Sequence, residues 1–443
     1  MQNDLTQGNL LQNIFHFSLP FFLSYFLQTL YGMADLLIVG QYNGADVISA
    51  VSIGSQVMHM FTVMIVGLAM GTTVLIGRFI GSKDEQKKRI TIGNSFVVFI
   101  ILSILLMLGL SLCTNTILNL LSTPAPSMQE ARKYLQICFL GIPFIVLYNL
   151  FASIFRGLGD SKSPMIFIAI ACIVNIVLDI LLIGPMQMKA SGAAYATVIA
   201  QIVSVFFAGF ALKRLNLGLK KADFKLDRTI VQSIFKVGFP IMAQDGFIQI
   251  SFLLITLIAN QRGVNVAAAV GIVEKLISFL FLVPSSMLST VSTIASQSLG
   301  AKDFNRAQKT LFYSIGISVS YGLIVSLICQ VAAKGILSFF TKDATVILLG
   351  SQYLHSYVFD CMIAGIHFCF SGFFAASNYS ILSFIHNMVS VIFVRVPGAY
   401  FASIYYPENL FPMGLAAPLG GILSVVICLI AYKWVKQKLC RNV

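Results

Sequence analysis

The sequence predicts an all-α polytopic membrane protein, with twelve transmembrane helices arranged as two pseudo-symmetric six-helix bundles. Of its 443 residues, 58% are hydrophobic and only 10% are charged, against about a quarter charged in soluble domains. A helix needs about 20 apolar residues to cross a bilayer. The breaks between apolar runs give candidate spans at 14–40, 47–80, 89–113, 130–156, 164–184, 190–212, 230–260, 264–299, 307–332, 346–376, 380–404 and 414–437.

The net charge of +13 is explained by membrane topology rather than by nucleic-acid binding. If the first span runs outward, the cytoplasmic loops carry most of the basic residues, and the outer side holds only Arg132, Lys133, Lys189, Arg262, Lys334 and Lys342. This asymmetry follows the positive-inside rule and predicts a multi-pass protein of the cell membrane with both termini in the cytoplasm. The expected partner is the lipid bilayer, with no nucleic acid. Residues 1–13 contain no Lys or Arg, so no cleavable signal peptide is expected.

An internal repeat divides the chain into halves. The loop Gly81–Asp84 recurs 219 residues later as Gly300–Asp303, and the same offset relates pairs inside several spans, such as Tyr134 and Tyr353. A constant offset across loops and spans indicates a duplication. We therefore predict an N-terminal bundle at 1–212, a basic cytoplasmic linker at 213–229 and a C-terminal bundle at 230–443. The linker is expected to be a solvated connector at the lipid surface.

Two aspartates lie inside apolar spans of the first half. A carboxylate in a membrane span costs about 2.5–3.5 kcal/mol on insertion scales, so it indicates a functional site. At 1.5 Å per residue, Asp35, Asp179 and Thr197 all lie roughly 8–10 Å from the outer ends of their spans, and Asn175 shares a helix face with Asp179. Two acids in one low-dielectric site should not both stay ionised, which favours proton exchange. The alternative is a structural polar network.

The second half carries different polar residues. Asp245, with Gln244 beside it, is predicted near mid-membrane and is a candidate for cation contact, with a buried hydrogen-bonded acid as the alternative. Asp360 is similarly deep in the tenth span. Glu274 and Lys275 suggest a local or interhelical ion pair, and Arg395 is expected to anchor helix packing.

No metal site or disulfide is predicted. The eight cysteines lie in or beside apolar spans without paired short spacing and are interpreted as small buried hydrophobes. The five histidines show no ligand spacing. Phe151 and Phe155, four residues apart, could line a cavity, although helix packing is the simpler role.

Several segments together resemble the MATE (multidrug and toxic compound extrusion) transporters, with the prokaryotic DinF-like branch as the nearest likeness. They are Leu19–Pro20 through Met33–Ala34–Asp35, Arg156–Met165, Asn175–Asp179, Gly192–Thr197 and the two Gly-x-Lys-Asp loops. The resemblance covers essentially the whole chain. It implies two six-helix bundles, an aqueous cavity between them, and efflux of drugs or organic cations in exchange for H⁺ or Na⁺.

The resemblance also implies roles for residues. In the DinF-like branch, an aspartate of span one is tied to an Asn/Asp pair on span five and a Thr on span six, which match Asp35, Asn175, Asp179 and Thr197. These are the predicted cation-coupling residues, and Na⁺ could bind at the same four positions. Candidate substrate-binding residues are Asp245, Gln244, Gln28, Phe151 and Phe155. A monomer that needs no cofactor other than the coupling ion is expected.

The sequence disfavours three alternative functions. A flippase for lipid-linked precursors should line its site with Arg and Lys to hold a pyrophosphate, whereas the acids found here favour a cation. A membrane enzyme is disfavoured because the sequence lacks a His-Glu-x-x-His motif, a nucleophile elbow and a phosphate loop. A passive channel is disfavoured by the chemical difference between the halves.

Overall fold

The computed structural model describes residues 4–441, which are helical over most of their length and contain no strand. The chain folds into two compact units. The helices Leu10–Tyr42 (α1), Ala45–Gly81 (α2), Glu85–Leu120 (α3), Met128–Leu140 (α4), Ile142–Gly157 (α5), Lys162–Ile183 (α6) and Lys189–Arg214 (α7) come from the first half of the chain.

The second half supplies Arg228–Asn260 (α8), Val264–Leu280 (α9), Leu282–Gly300 (α10), Phe304–Ser338 (α11), Ala344–Tyr357 (α12), Asp360–Ala376 (α13), Ile381–Ser390 (α14), Val396–Tyr405 (α15) and Phe411–Arg441 (α16). A π-helical turn, Val391–Arg395, joins α14 to α15.

The predicted all-helical membrane architecture is confirmed. Among the described residues, ten helical segments are long and apolar enough to cross a membrane, and the number rises to twelve if each of two bent helix pairs is one span. One pair, Ala125–Leu140 with Ile142–Gly157, bends by 48°, and the other, Ala344–Tyr357 with Asp360–Ala376, bends by 42°. The breaks at Gly141 and Phe359 are nearly one repeat length apart, so the duplication extends to helix geometry.

Each unit includes a short piece of the other half of the sequence. Among the described residues, unit 1 comprises Asp4 and Leu19–Gly238, whereas unit 2 comprises Leu5–Ser18 and the chain from Phe239 onward. The first parts of α1 and α8 are therefore exchanged, and in each helix a proline, Pro20 or Pro240, follows the boundary by two residues. The functional lobes at 1–212 and 230–443, separated by 213–229, remain a prediction.

The linker before α8 is anchored to α3 at one point, while most of its side chains are exposed, as in a solvated connector. The Asn94 side chain donates to the carbonyl oxygens of Asp223 (3.1 Å) and Lys225 (3.0 Å) and accepts from the backbone N–H of Asp227 (2.7 Å). Gly93 lets the linker backbone approach closely, because a Cβ there would collide with the Asp223 carbonyl. Sequence composition could not reveal this docking, since it depends on one buried amide.

We expect Asn94→Ala to release the linker. The substitution removes three hydrogen bonds at a fully buried position, each worth about 1 kcal/mol net, so the melting temperature in detergent should fall and proteolysis between 216 and 228 should accelerate. The matched control is Asn119→Ala, at an exposed position on the same helix. If both variants are cut at the wild-type rate, the linker is not held by Asn94.

Candidate functional site

Three helices of unit 1 bring the predicted polar residues together. Asp35 lies on α1, Asn175 and Asp179 lie one turn apart on α6, and Thr197 lies on α7. The helices α6 and α7 form a tight hairpin, in which Gly192 faces the end of α6 and a Cβ would press on Ile183. The small buried residues at the start of α7 thus allow the close packing that carries Thr197 towards the acids.

The Asp35 carboxylate is the centre of this cluster. Thr197 Oγ1 donates a hydrogen bond of 3.5 Å to Asp35 Oδ2, and the side chains of Asn175 and Asp179 also lie against the Asp35 carboxylate. Asp35, Asn175 and Asp179 are 3%, 1% and 0% exposed. The structure therefore places two carboxyl groups side by side, out of contact with water.

Most polar atoms of this cluster are unsatisfied. Asp35 Oδ1, both carboxylate oxygens of Asp179 and both amide atoms of Asn175 are buried without a hydrogen-bond partner among residues 4–441. Buried polar groups in proteins are nearly always paired, so such a concentration of unpaired atoms is typical of a site that binds a proton, an ion or water. The four side chains supply two carboxyl groups, one amide and one hydroxyl, all with oxygen atoms that suit a proton or a hard cation such as Na⁺.

Two tyrosines extend the site beyond the residues that the sequence predicted. Tyr31 and Tyr134 are close enough to Asp35 to interact with its charge, and the Tyr134 hydroxyl pairs with Ser55 Oγ at 3.1 Å. Tyr31 precedes Asp35 by four residues on α1, so its place on the same helix face could have been read from the spacing. Tyr134 comes from α4, and no sequence signal pointed to it.

The candidate substrate residues have varied surroundings. Asp245 is partly exposed and has no hydrogen bond or ion pair with another described residue, while its neighbour Gln244 is 1% exposed with an unpartnered Oε1. Gln28 is partly exposed on α1. By contrast, Phe151 and Phe155 on α5 pack edge-to-face against Phe96 and Phe167, with ring centroids 5.5 Å apart in both pairs. Substrate binding by all five remains a prediction, and the two phenylalanines also contribute to helix packing.

Unit 2 contains a second buried polar cluster around Glu274 on α9. Tyr353 donates to Glu274 Oε1 at 3.0 Å and Tyr357 donates to Oε2 at 3.5 Å. The expected ion pair of Glu274 with Lys275 is not formed among the described residues: Lys275 is exposed whereas Glu274 is buried, since adjacent positions on a helix face different directions. The partners come from α12 instead, about 80 residues along the chain.

Arg395 supplies the positive charge of this second cluster. Its Nη2 donates to the Tyr357 hydroxyl at 2.5 Å, and its guanidinium stacks over the Phe252 ring, 4.8 Å from the centroid. It also interacts with the charges of Glu274 and Asp360. Arg395 ends the π-helical turn, and such turns are frequent at functional sites because they redirect a side chain. The predicted packing role of Arg395 is thus joined by an electrostatic one.

No group of three or more His, Cys, Asp or Glu side chains that could hold a metal occurs within the described part of the chain. The buried His386 pairs through Nε2 with Ser371 Oγ at 2.9 Å, and its ring lies 5.6 Å from that of His367. The two histidine rings therefore pack together inside unit 2, and His386 also forms a hydrogen bond there.

Comparison with known proteins identifies a matching family model and similar proteins. The MatE family model matches residues 20–181 and again 240–401, one match in each half of the repeat. The chain is 28% identical to the probable multidrug resistance protein YpnP of Bacillus subtilis, over 98% of this chain and 97% of the relative. It is 24% identical to the probable multidrug resistance protein YoeA of the same organism, over 96% and 94% of the two chains.

A solved structure has the same fold. An outward-facing multidrug resistance MATE family transporter of the MOP superfamily superposes with a TM-score of 0.90, covering 99% of this chain and 97% of that one, at 21% identity. The two matches to the family model begin at Pro20 and Pro240, which supports the internal repeat read from the sequence.

We predict that Arg395→Ala lowers stability strongly. Removing one member of a buried charge cluster costs about 3–5 kcal/mol, because the remaining carboxylates lose their compensating charge. Arg395→Lys should recover part of the loss, since it keeps the charge but not the planar stacking on Phe252. Melting temperatures in detergent provide the measurement, and an Arg395→Ala protein as stable as wild type would contradict a stabilising role.

Proposed function

The chain belongs to the MatE family, whose members are membrane transporters and not enzymes, and we propose that it is a secondary active multidrug efflux transporter. It exports amphipathic, often cationic, organic compounds in exchange for H⁺, with Na⁺ as the alternative coupling ion. The substrate class rests on the multidrug resistance relatives. The cell membrane, with both termini in the cytoplasm, is the proposed location.

The observation that carries the proposal is the buried pair Asp35–Asp179. Keeping two carboxylates ionised side by side in a low-dielectric site is costly, and a single proton shared between them removes one charge and supplies a hydrogen bond. Asp35 is proposed to take up the ion on one side of the membrane and release it on the other. Asn175, Asp179 and Thr197 are proposed to adjust the affinity of Asp35 for the ion.

The available driving force is adequate for efflux. A membrane potential of about 100 mV provides roughly 2.3 kcal/mol per charge, and one pH unit provides about 1.4 kcal/mol. Together these support a substrate gradient of several hundred-fold per proton. If one H⁺ is exchanged for one singly charged organic cation, no net charge crosses the membrane, and only the pH gradient drives transport. The charge of the substrate and the stoichiometry therefore determine how much the membrane potential contributes.

For the substrate, we propose that Asp245 contacts the positive charge. Its carboxylate is partly accessible and unpaired among the described residues, which distinguishes it from Glu274, whose oxygens are already bound by tyrosine hydroxyls. Gln244 and Gln28 would supply hydrogen bonds to the polar groups of varied substrates.

A flippase for lipid-linked precursors is the second candidate and is less well supported. Binding a pyrophosphate requires several free Arg or Lys side chains, but the buried Arg395 is engaged with Tyr357 and with the charges of Glu274 and Asp360. The unpaired buried charges described above are acidic, and they favour a cation.

We expect Asp35→Asn to abolish ion-coupled efflux. The amide cannot bind or release a proton, so cells expressing the variant should lose resistance to cationic drugs at unchanged protein levels. Asp179→Asn should reduce resistance less, because Asp35 keeps its carboxylate. The matched control is Asp46→Asn, which removes an exposed acid at the start of α2. Wild-type resistance in the Asp35→Asn strain would exclude Asp35 from coupling.

Proteoliposomes separate the two coupling ions. With an imposed pH gradient and no sodium, H⁺ coupling predicts uphill transport of a fluorescent organic cation that a protonophore abolishes. If transport instead follows a sodium gradient and persists with protonophore, Na⁺ is the coupling ion. Transport under neither gradient would contradict secondary active antiport.

A further inference from the structure

A cavity of about 330 Å³ opens in unit 2 where the start of α1 meets the start of α11. This volume falls within the roughly 300–1,000 Å³ of small-ligand sites. Its lining includes Asn9, Leu11, Asn305, Arg306, Lys309 and Tyr313. The positive-inside distribution of charge predicts that this end of the helices lies at the cytoplasmic membrane surface.

Arg306 forms one rigid wall of the cavity. Its guanidinium donates to three carbonyl oxygens of the turn before α1: Nε to Leu5 (3.0 Å), Nη2 to Gln7 (2.9 Å) and Nη1 to Gly8 (3.2 Å). These bonds fix the guanidinium in place, while no carboxylate forms a salt bridge with it among the described residues. Arg306 therefore holds the N-terminal turn and still offers an uncompensated positive charge and two unused N–H groups.

Lys309, one turn further along α11, provides a second positive charge. It is exposed and makes no hydrogen bond or ion pair with the rest of the described chain. The only acid in the lining, Asp303, accepts a hydrogen bond of 2.8 Å from the Arg306 backbone N–H as the cap of α11. The cap of α1 is likewise satisfied by Asn9. The side chains of Arg306 and Lys309, rather than free helix ends, thus make the cavity attractive to an anion.

Apolar side chains continue from the cavity along both helices. Leu11 and Phe15 on α1 are 45% and 51% exposed, and Phe312 and Tyr313 on α11 are 45% and 46% exposed. A ligand that fits both features combines an anionic head with hydrocarbon chains. A tyrosine beside such a site matches the enrichment of aromatic residues at the membrane interface.

We propose that this cavity binds the phosphate-bearing head group of an anionic phospholipid, with Arg306 and Lys309 holding the phosphate and Tyr313 lying at the head-group level. The acyl chains extend along the exposed apolar faces of α1 and α11. A bound lipid would strengthen the attachment of the first part of α1 to unit 2. The same chemistry could accept a free phosphate compound, but the adjoining apolar faces favour a lipid.

The test uses the full-length protein in nanodiscs of phosphatidylcholine with increasing fractions of phosphatidylglycerol. Thermal unfolding and native mass spectrometry report the apparent lipid affinity. Lys309→Gln should weaken phosphatidylglycerol binding about fivefold, the effect of removing one basic charge near an anionic lipid. The matched control is Lys302→Asn, which removes a neighbouring charge outside the cavity at a positive-φ position that Asn tolerates.

The proposal is supported if Lys309→Gln weakens binding and Lys302→Asn does not. Equal losses in both variants would overturn it, because a general surface potential would then explain the binding. A further arm adds millimolar glycerol phosphate to protein in pure phosphatidylcholine. If the soluble phosphate stabilises the wild type as much as phosphatidylglycerol does, a free phosphate compound occupies the cavity and the lipid proposal fails.

Discussion

The proposed function depends on one costly arrangement: two carboxyl groups buried side by side on α1 and α6. Either acid alone would be expensive in an apolar helix, and the two together repel when both are charged. Helix packing could have separated them, yet the hairpin of α6 and α7 brings Asn175, Asp179 and Thr197 onto the same carboxylate. We propose that this arrangement gains stability when a cation or proton is added, which is the property that ion coupling requires.

The halves of the chain have kept one architecture and diverged in chemistry. Both have a bent helix pair at corresponding positions and a proline two residues after the point where the first helix changes unit. The first half places two acids and no basic residue in its cluster, whereas the second surrounds Glu274 and Asp360 with Arg395 and tyrosines. In unit 2 one arginine partly compensates two acids, and Asp360 Oδ1 and Arg395 Nε are still without hydrogen-bond partners among the described residues. The cluster in unit 1 has no basic residue at all, which suits it better to binding a cation.

The sequence predicted the helices and the meeting of Asp35, Asp179 and Thr197 because both leave periodic signals, while the role of these residues in ion coupling stays a prediction. Apolar runs predict the membrane spans, and the internal repeat gives a second, independent estimate of where each span ends. The distances of Asp35, Asp179 and Thr197 from the ends of their spans predicted that all three lie at the same depth. Contacts made by single side chains between distant segments left no such signal. The partners of Glu274, the docking of the linker by Asn94 and the approach of Tyr134 to Asp35 depend on how helices rotate about their axes, which hydropathy does not encode.

The exchanged segments suggest a structural role for Pro20 and Pro240, which lie close to the points where α1 and α8 pass from one unit to the other. In α1, the part before Pro20 is fixed to unit 2 through Arg306 and through the bond from Leu5 N–H to Gln297, while the part after it carries Asp35 within unit 1. A proline interrupts the helical hydrogen-bond ladder and allows bending at that point. If Asp35 exchanges an ion as we propose, that exchange and the attachment at Arg306 act on the same helix from opposite sides of Pro20.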